Sequence, residues 1–207
     1  MKLGKLNQEI VLDIGCNSGQ YSFHAKNAGA RTVVGIDVDE KRIYQAGMLA
    51  TMINGLALQD SLERICVPVR TMSALANPSV AEQFIRRRAL RHLERNRIVI
   101  FAAGTGNPFF STDTAASLRA SEMNCSLIVK ATKVDGIFNK DPIKFKDAKL
   151  LKKITYNEVI NNNLRVMDLT AISLAKESNI PILVTNIFKR NCLISALNQT
   201  GKYSKIS

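Results

Sequence analysis

The chain has 207 residues, 46% hydrophobic and 22% charged, which suffices for a sizeable core in one to two domains. No run of about 18 apolar residues occurs, which excludes a helical membrane span. Four dispersed cysteines and two histidines lack metal-ligand spacing, so the expectation is reduced, mostly buried thiols and no metal site. The net charge of +12 raises nucleic acid as a partner, and the polar first eight residues carry no secretory h-region, which makes the cytoplasm the expected compartment.

In chain order, apolar runs and turn residues predict strand 10–14, helix 19–28, strand 32–37, helix 40–64, strand 66–70, helix 79–95 and strand 98–103. Helix 114–122, strand 127–131, helices 156–161 and 166–178, and strand 181–186 follow. This alternation predicts an α/β protein: three layers, α/β/α, around a mainly parallel sheet of at least six strands opened by a Rossmann-like βαβ unit.

In the opening unit, Gly15 and Gly19 follow the first strand and Asp37 ends the second, 18 residues beyond Gly19. Such glycines permit a tight turn under a cofactor, and an acid at that distance can bind ribose hydroxyls. Further on, Arg86, Arg87, Arg88, Arg91, Arg95 and Arg97 crowd one predicted helix, with Val80, Phe84, Ala89 and Leu93 spaced as its buried side. A solvated face, a subunit contact or a field for anionic nucleotides is favoured over a nucleic-acid role.

The densest chemistry lies in 98–142. A β-branched strand ends at Gly104, and Thr105, Gly106, Asn107, Pro108, Phe109 and Phe110 form a loop before an Ala-rich helix. One of Ser111, Thr112 and Asp113 is its N-cap, so backbone N–H groups and the positive helix end face the loop as an anion site. Asp113 would repel a bare phosphate, so a functional role for it requires a cation or a positioning hydrogen bond. The next strand leads into Thr132, Lys133, Val134, Asp135 and Gly136, at the carboxyl end where open α/β sheets bind ligands. Phe138 offers a flat face for a base, Asp141 a carboxylate fixed by the following proline, and Lys130 and Lys133 positive charge for phosphates.

The wording of these segments, GTGNPFFSTDTAA and KATKVDGIFNKDP, resembles the two nucleotide-binding segments of bacterial UMP kinases, members of the amino-acid-kinase superfamily. GMLATMINGLALQDSLE, FIRRRALRHLERNR and VMDLTAISLAKESNIPILVTN agree as well, so the likeness covers 47 to about 197. The resemblance implies phosphoryl transfer from MgATP to UMP, giving UDP for pyrimidine nucleotide synthesis, by a homo-oligomer that is hexameric in that family. It assigns UMP to the stretch from Thr105 to Thr112, ATP to Thr132, Phe138 and Asp141, and the catalytic aspartate role to Asp113.

The first 46 residues lack the Lys-Leu-Ser-Gly-Glu and Gly-Gly-Gly-Asn loops that open such kinases, and Tyr44 stands where they carry a ribose-binding Asp. Instead, VLDIGCNSG and VVGID resemble motif I and the second-strand acid of class I S-adenosylmethionine-dependent methyltransferases, through Asp13, Gly15, Cys16, Gly19 and Asp37. The expected organisation is therefore a methyltransferase-like segment at 1–46, not independent, joined to a kinase-like region at 47–207. Three readings stand: a UMP kinase impaired by its missing loops, an inactive nucleotide-binding remnant or chimera, and an S-adenosylmethionine-dependent methyltransferase fragment.

Overall fold

A computed structural model of the chain describes residues 10–14, 32–36, 40–140, 144–162, 164 and 166–207, with side chains from Ala46 onward. The chain packs as two compact units, Met1–Phe110 and Ser111–Ser207.

In the first unit, strands β1 (Ile10–Ile14) and β2 (Thr32–Ile36) pair in parallel with Ile10 opposite Thr32. Helix α1 (Glu40–Arg64) has the predicted bounds. Strand β3 (Val69–Ser73) pairs in parallel with β4 (Glu82–Gln83) on one side and β5 (Ile98–Ala102) on the other. Helix α1 is pinned to β3 by polar contacts: the Thr71 N–H donates to Gln59 Oε1 at 2.8 Å, and the Thr71 hydroxyl to the Gly55 carbonyl at 3.2 Å. Met52, Ala81, Ala102 and Ala103 form an apolar cluster beside them.

The predicted helix 79–95 is two elements. Its first part is the edge strand β4, and only Arg86–Glu94 forms a helix, α2. The Phe84 N–H donates to the Ser73 carbonyl at 2.8 Å, Ile85 is extended, and the Phe84 ring meets Phe101 edge-on at 5.5 Å. Pairing with β3 thus satisfies backbone groups that a helix would have used. Of the expected buried stripe, Ala89 is fully buried, whereas Val80 and Leu93 are exposed.

In the second unit, α3 (Thr112–Glu122) precedes β6 (Ile128–Thr132), and the short strands β7 (Ile137–Phe138) and β8 (Leu150–Leu151) pair antiparallel. Strand β9 (Lys153–Ile154), helices α4 (Tyr156–Asn161) and α5 (Leu169–Glu177), strand β10 (Ile182–Asn186), helix α6 (Cys192–Leu197) and strand β11 (Ser204–Ile206) complete it. The sheet order is β6-β10-β11-β9, with β10 parallel to β6 and antiparallel to β11. Helix α4 starts with a capping box of Thr155 and Glu158, and the buried Tyr156 hydroxyl donates to the Ile180 carbonyl at 2.6 Å. The core joins Ile172, Ile182 and Ile206, none of them accessible, to Val159, Ala171 and Val184.

The architecture is α/β with mainly parallel pairing, as the alternation predicts. The single sheet of six or more strands is not found among the described residues: the ladders have two, four, three and two strands. Cys66 and Cys125 are exposed and Cys192 half-buried, against the expectation of buried thiols. Cys66 lies in the turn that ends α1 and Cys125 just past the turn that ends α3, with φ of 58° at Cys66 and 54° at the neighbouring Asn124.

Candidate functional site

In the first unit, the loop 103–110 leaves the carboxyl end of β5 through left-handed backbone at Ala103, Gly104, Gly106 and Phe109. Its start is held from α1: the Ala103 N–H donates to Thr51 Oγ1 at 2.8 Å, and that hydroxyl donates to the Met48 carbonyl at 2.8 Å. The Gly106 N–H closes a turn onto the Ala103 carbonyl at 3.0 Å. A Cβ on Gly106 would stand 3.1 Å from both the Cβ and the carbonyl oxygen of Ala74, at φ of +79°. Glycine is therefore demanded by the loop's own packing as well as by access for a ligand. The Thr105 hydroxyl accepts from the Asn107 N–H at 3.2 Å, Pro108 is half-buried, and Phe109 and Phe110 are exposed.

In the second unit, Ser111 is the N-cap of α3, its hydroxyl accepting the Thr114 N–H at 3.0 Å. The first turn of α3 leaves the N–H groups of Thr112 and Asp113 without intrahelical carbonyls. Asp113 is ion-paired with Lys130, which rises from β6; both residues are half-buried. Of the two partners the sequence leaves open beside Asp113, a cation or a positioning hydrogen bond, the fold brings a lysine, whose ammonium offsets a charge that would oppose an anion at the helix end.

A second carboxylate organises the same helix end. Asp168, the N-cap of α5, accepts the Ala171 N–H at 2.7 Å, the Thr114 hydroxyl at 3.0 Å, and the Ser111 hydroxyl. One side chain thereby ties together the N-termini of α3 and α5. Burial pushes the Asp168 carboxyl up, but the hydrogen bonds from Ser111, Ala171, Thr114 and Thr170 outweigh it and hold the group below its ordinary value. The sequence marks Asp168 as a helix cap by its place before an apolar-periodic run. It carries no sign of the tertiary hydroxyls.

Beyond β6, the half-buried Thr132 accepts the Val134 N–H at its hydroxyl at 3.3 Å, Lys133 is exposed and Phe138 is half-buried in β7. Gly136 sits where a Cβ would lie 2.6 Å from Ser204 Oγ, so the loop presses on β11. Asp135 is ion-paired with Lys189 at 2.6 Å and Lys202 at 3.7 Å. The Lys189 hydrogen bond, helped by Asn186 and the two lysine charges, holds its carboxyl below the usual range against the opposing effect of burial. Asp141, Gly15, Gly19 and Asp37 fall outside the described residues; Asp13 lies in β1, and Tyr44 in α1 with its side chain outside them. Among the described residues no group of three or more His, Cys, Asp or Glu could hold a metal ion, and no helix is long and apolar enough to cross a membrane.

Three carboxyls, Asp135, Glu158 and Asp168, have folded values below their ordinary ones, Glu158 through the hydrogen bonds of the Thr155 capping box. Groups depressed in the folded state contribute stability above their unfolded values, about 4, and lose it as pH falls through the lower folded values. Denaturant titrations are expected to show constant stability from about pH 7 to 5 and a decline below about pH 4. Stability that rises on acidification through that window would contradict these contacts.

The sequence model of the amino acid kinase family matches residues 5–186. This chain belongs to the amino acid kinase family. Within it, the chain is 54% identical over 156 residues to a uridylate kinase of Campylobacter curvus (strain 525.92), an alignment taking in 75% of this chain and 66% of the relative. A uridylate kinase of Helicobacter hepaticus (strain ATCC 51449 / 3B1) is 54% identical over 159 residues, 77% of this chain and 66% of that protein. The chain thus spans just under two thirds of the length of these curated relatives. Among solved structures, UMP kinase from Ureaplasma parvum superposes with a TM-score of 0.79 at 29% identity, covering 98% of this chain and 99% of that one. UMP kinase from Bacillus anthracis gives 0.78 at 28% identity, covering 97% and 96%. The family match reaches back to residue 5 and so includes most of the segment that resembles a methyltransferase opening; a parallel β1–β2 pair is common to both topologies.

Proposed function

We propose that this chain is a nucleoside monophosphate kinase of the uridylate type, transferring the γ-phosphoryl group of MgATP to UMP in pyrimidine nucleotide synthesis, with turnover lowered by the departures in its first 46 residues. The observation that carries the reading is the Asp113–Lys130 pair at the Ser111-capped end of α3, in a segment whose wording resembles the UMP kinases. The relatives' names and the level of identity support it.

In this reading, the stretch Thr105, Gly106, Asn107, Pro108, Phe109, Phe110, Ser111 and Thr112 holds UMP, with N–H groups and hydroxyls toward its phosphate. Thr132, Phe138 and Asp141 hold ATP, with Lys130 and Lys133 as cations for its phosphates. Asp113 is the catalytic aspartate: its carboxylate orients the groups around the transferring phosphoryl while Lys130 keeps the site attractive to anions. Phosphoryl transfer depends chiefly on positioning and charge stabilisation, which these groups supply without covalent chemistry. Magnesium enters with ATP as part of the substrate. A cytoplasmic homo-oligomer belongs to the same proposal.

The splice remains part of it, because the curated alignments take in 74% to 78% of this chain. S-adenosylmethionine at Asp13, Gly15, Gly19 and Asp37 is the weaker alternative, since β1 and β2 fit a kinase opening equally well.

Calorimetry with UMP and UTP tests the binding half. Measurable affinity is expected, falling at least about tenfold when Thr105→Ala is combined with Thr112→Ala, because two hydroxyl donors to an anion are lost. No heat of binding at millimolar nucleotide, or equal affinity in the double variant, would sink the assignment.

A further inference from the structure

Strands β6 and β10 lie side by side in parallel with Thr132 opposite Asn186, so the segments that follow them, 133–136 and 187–191, emerge at the same sheet edge. Loops at the carboxyl ends of such strands hold ligands only if their backbones keep a fixed spacing. Asp135 accepts from Lys189 Nζ with both oxygens, at 2.6 and 2.7 Å, and from Asn186 Nδ2 at 3.1 Å, while Lys202 Nζ stands 3.7 Å away. The same Asn186 amide donates to the Lys133 carbonyl at 3.0 Å, and Asn186 Oδ1 accepts the Phe188 N–H at 2.9 Å. One further ladder bond, the Ile187 N–H to the Thr132 carbonyl at 3.0 Å, joins the two segments.

We propose that Asp135 is a positioning residue that locks the loop after β6 to the loop after β10, and thereby fixes Thr132 and Lys133 for the phosphates of a nucleoside triphosphate. The inference deepens the kinase reading above and rests on it for the identity of the ligand.

An exposed lysine–carboxylate pair holds little by itself. Here the carboxylate is 15% exposed and also accepts from the Asn186 amide, whose residue is 6% exposed, so losing the carboxylate removes one acceptor from a shielded amide as well as the tie to Lys189. Lys189 and Lys202 against one Asp135 also leave the edge net positive beside Lys133, which suits a polyphosphate.

The experiment uses the full chain and two substitutions, Asp135→Asn, nearly isosteric but uncharged, and Lys189→Met, at a half-exposed position outside the core. Amide exchange at Ile187 and Phe188 is expected to rise about tenfold in each, with the strand amides of Val129 and Leu183 unchanged as a control for folding. Affinity for MgATP by calorimetry is expected to fall about tenfold in each, and the double variant to add little, as for partners in one contact. Unchanged exchange at Ile187 and Phe188 would overturn the lock. Faster exchange with MgATP affinity within about twofold of the parent would overturn its nucleotide role. A parent chain that binds no MgATP at millimolar concentration would instead overturn the kinase reading and the nucleotide role with it, while the exchange data still decide the lock.

Discussion

Given ATP, Mg²⁺ and UMP in a coupled assay, the purified chain is expected to form UDP at least about 100-fold to 1,000-fold more slowly than an intact uridylate kinase assayed alongside it. As the resemblance implies, an intact enzyme of this kind adds an N-terminal loop lysine and glycine amides to the donors proposed here at Thr105, Thr112 and Thr132. On the splice proposed above, the sequence VLDIGCNSG stands in place of that opening. Loss of a single preorganised donor to a developing charge costs about 2.7–4 kcal/mol of transition-state stabilisation, and several are replaced together. Lys130 cannot fully compensate, because its ammonium is already paired with Asp113. A rate within about tenfold of the relative would refute the deficit. It would direct attention to Lys26 or Lys41 as substitutes for the missing charge.

Helix α1 was legible to its ends because its 25 residues are rich in Ala, Leu, Met, Glu, Gln and Arg and hold no proline, which outweighs the cost of Gly47 and Gly55. The cap of α3 was legible too, from hydroxyl and acid residues directly before an Ala-rich run. Where partners decide the outcome, local reading failed. Residues 79–85 have helical spacing, but β3 offers backbone partners to Glu82 and Gln83 that a lone segment cannot anticipate. The strand read at 66–70 lies at Val69–Ser73, because its register against Ile98–Ala102 sets its limits. Strand β11, only Ser204–Ile206, is too short for periodicity; it exists because Ile206 fills a fully buried place opposite Ile182. Among candidate site residues, Asp113 and Lys130 were named separately, and only the fold brings them together. Thr51 and Asp168 were missed because their partners are distant in sequence, Ala103 for one and Ser111 and Thr114 for the other.

Asp168→Ala is expected to destabilise the second unit by about 2–3 kcal/mol, the largest loss from any single substitution at this site. Removing an N-cap costs about 1 kcal/mol. The hydroxyls of Ser111 and Thr114 then lose a charged acceptor, a contact of about 1.5–3 kcal/mol when well shielded and less in this half-buried setting. Thr114 is buried, so its hydroxyl cannot turn freely to water. Asp168→Asn keeps a cap and one acceptor oxygen, and is expected to lose about half as much. The contribution of Asp168 exists above its unfolded value of about 4 and vanishes as pH falls through its lower folded value. The gap between parent and Asp168→Ala, measured by urea unfolding, should therefore be constant near neutrality and close as pH falls below the unfolded value of about 4. A loss below about 0.5 kcal/mol at pH 7 would show that the two helix ends are held by packing alone. A gap that widens on acidification would show that Asp168 is not ionised in the folded chain.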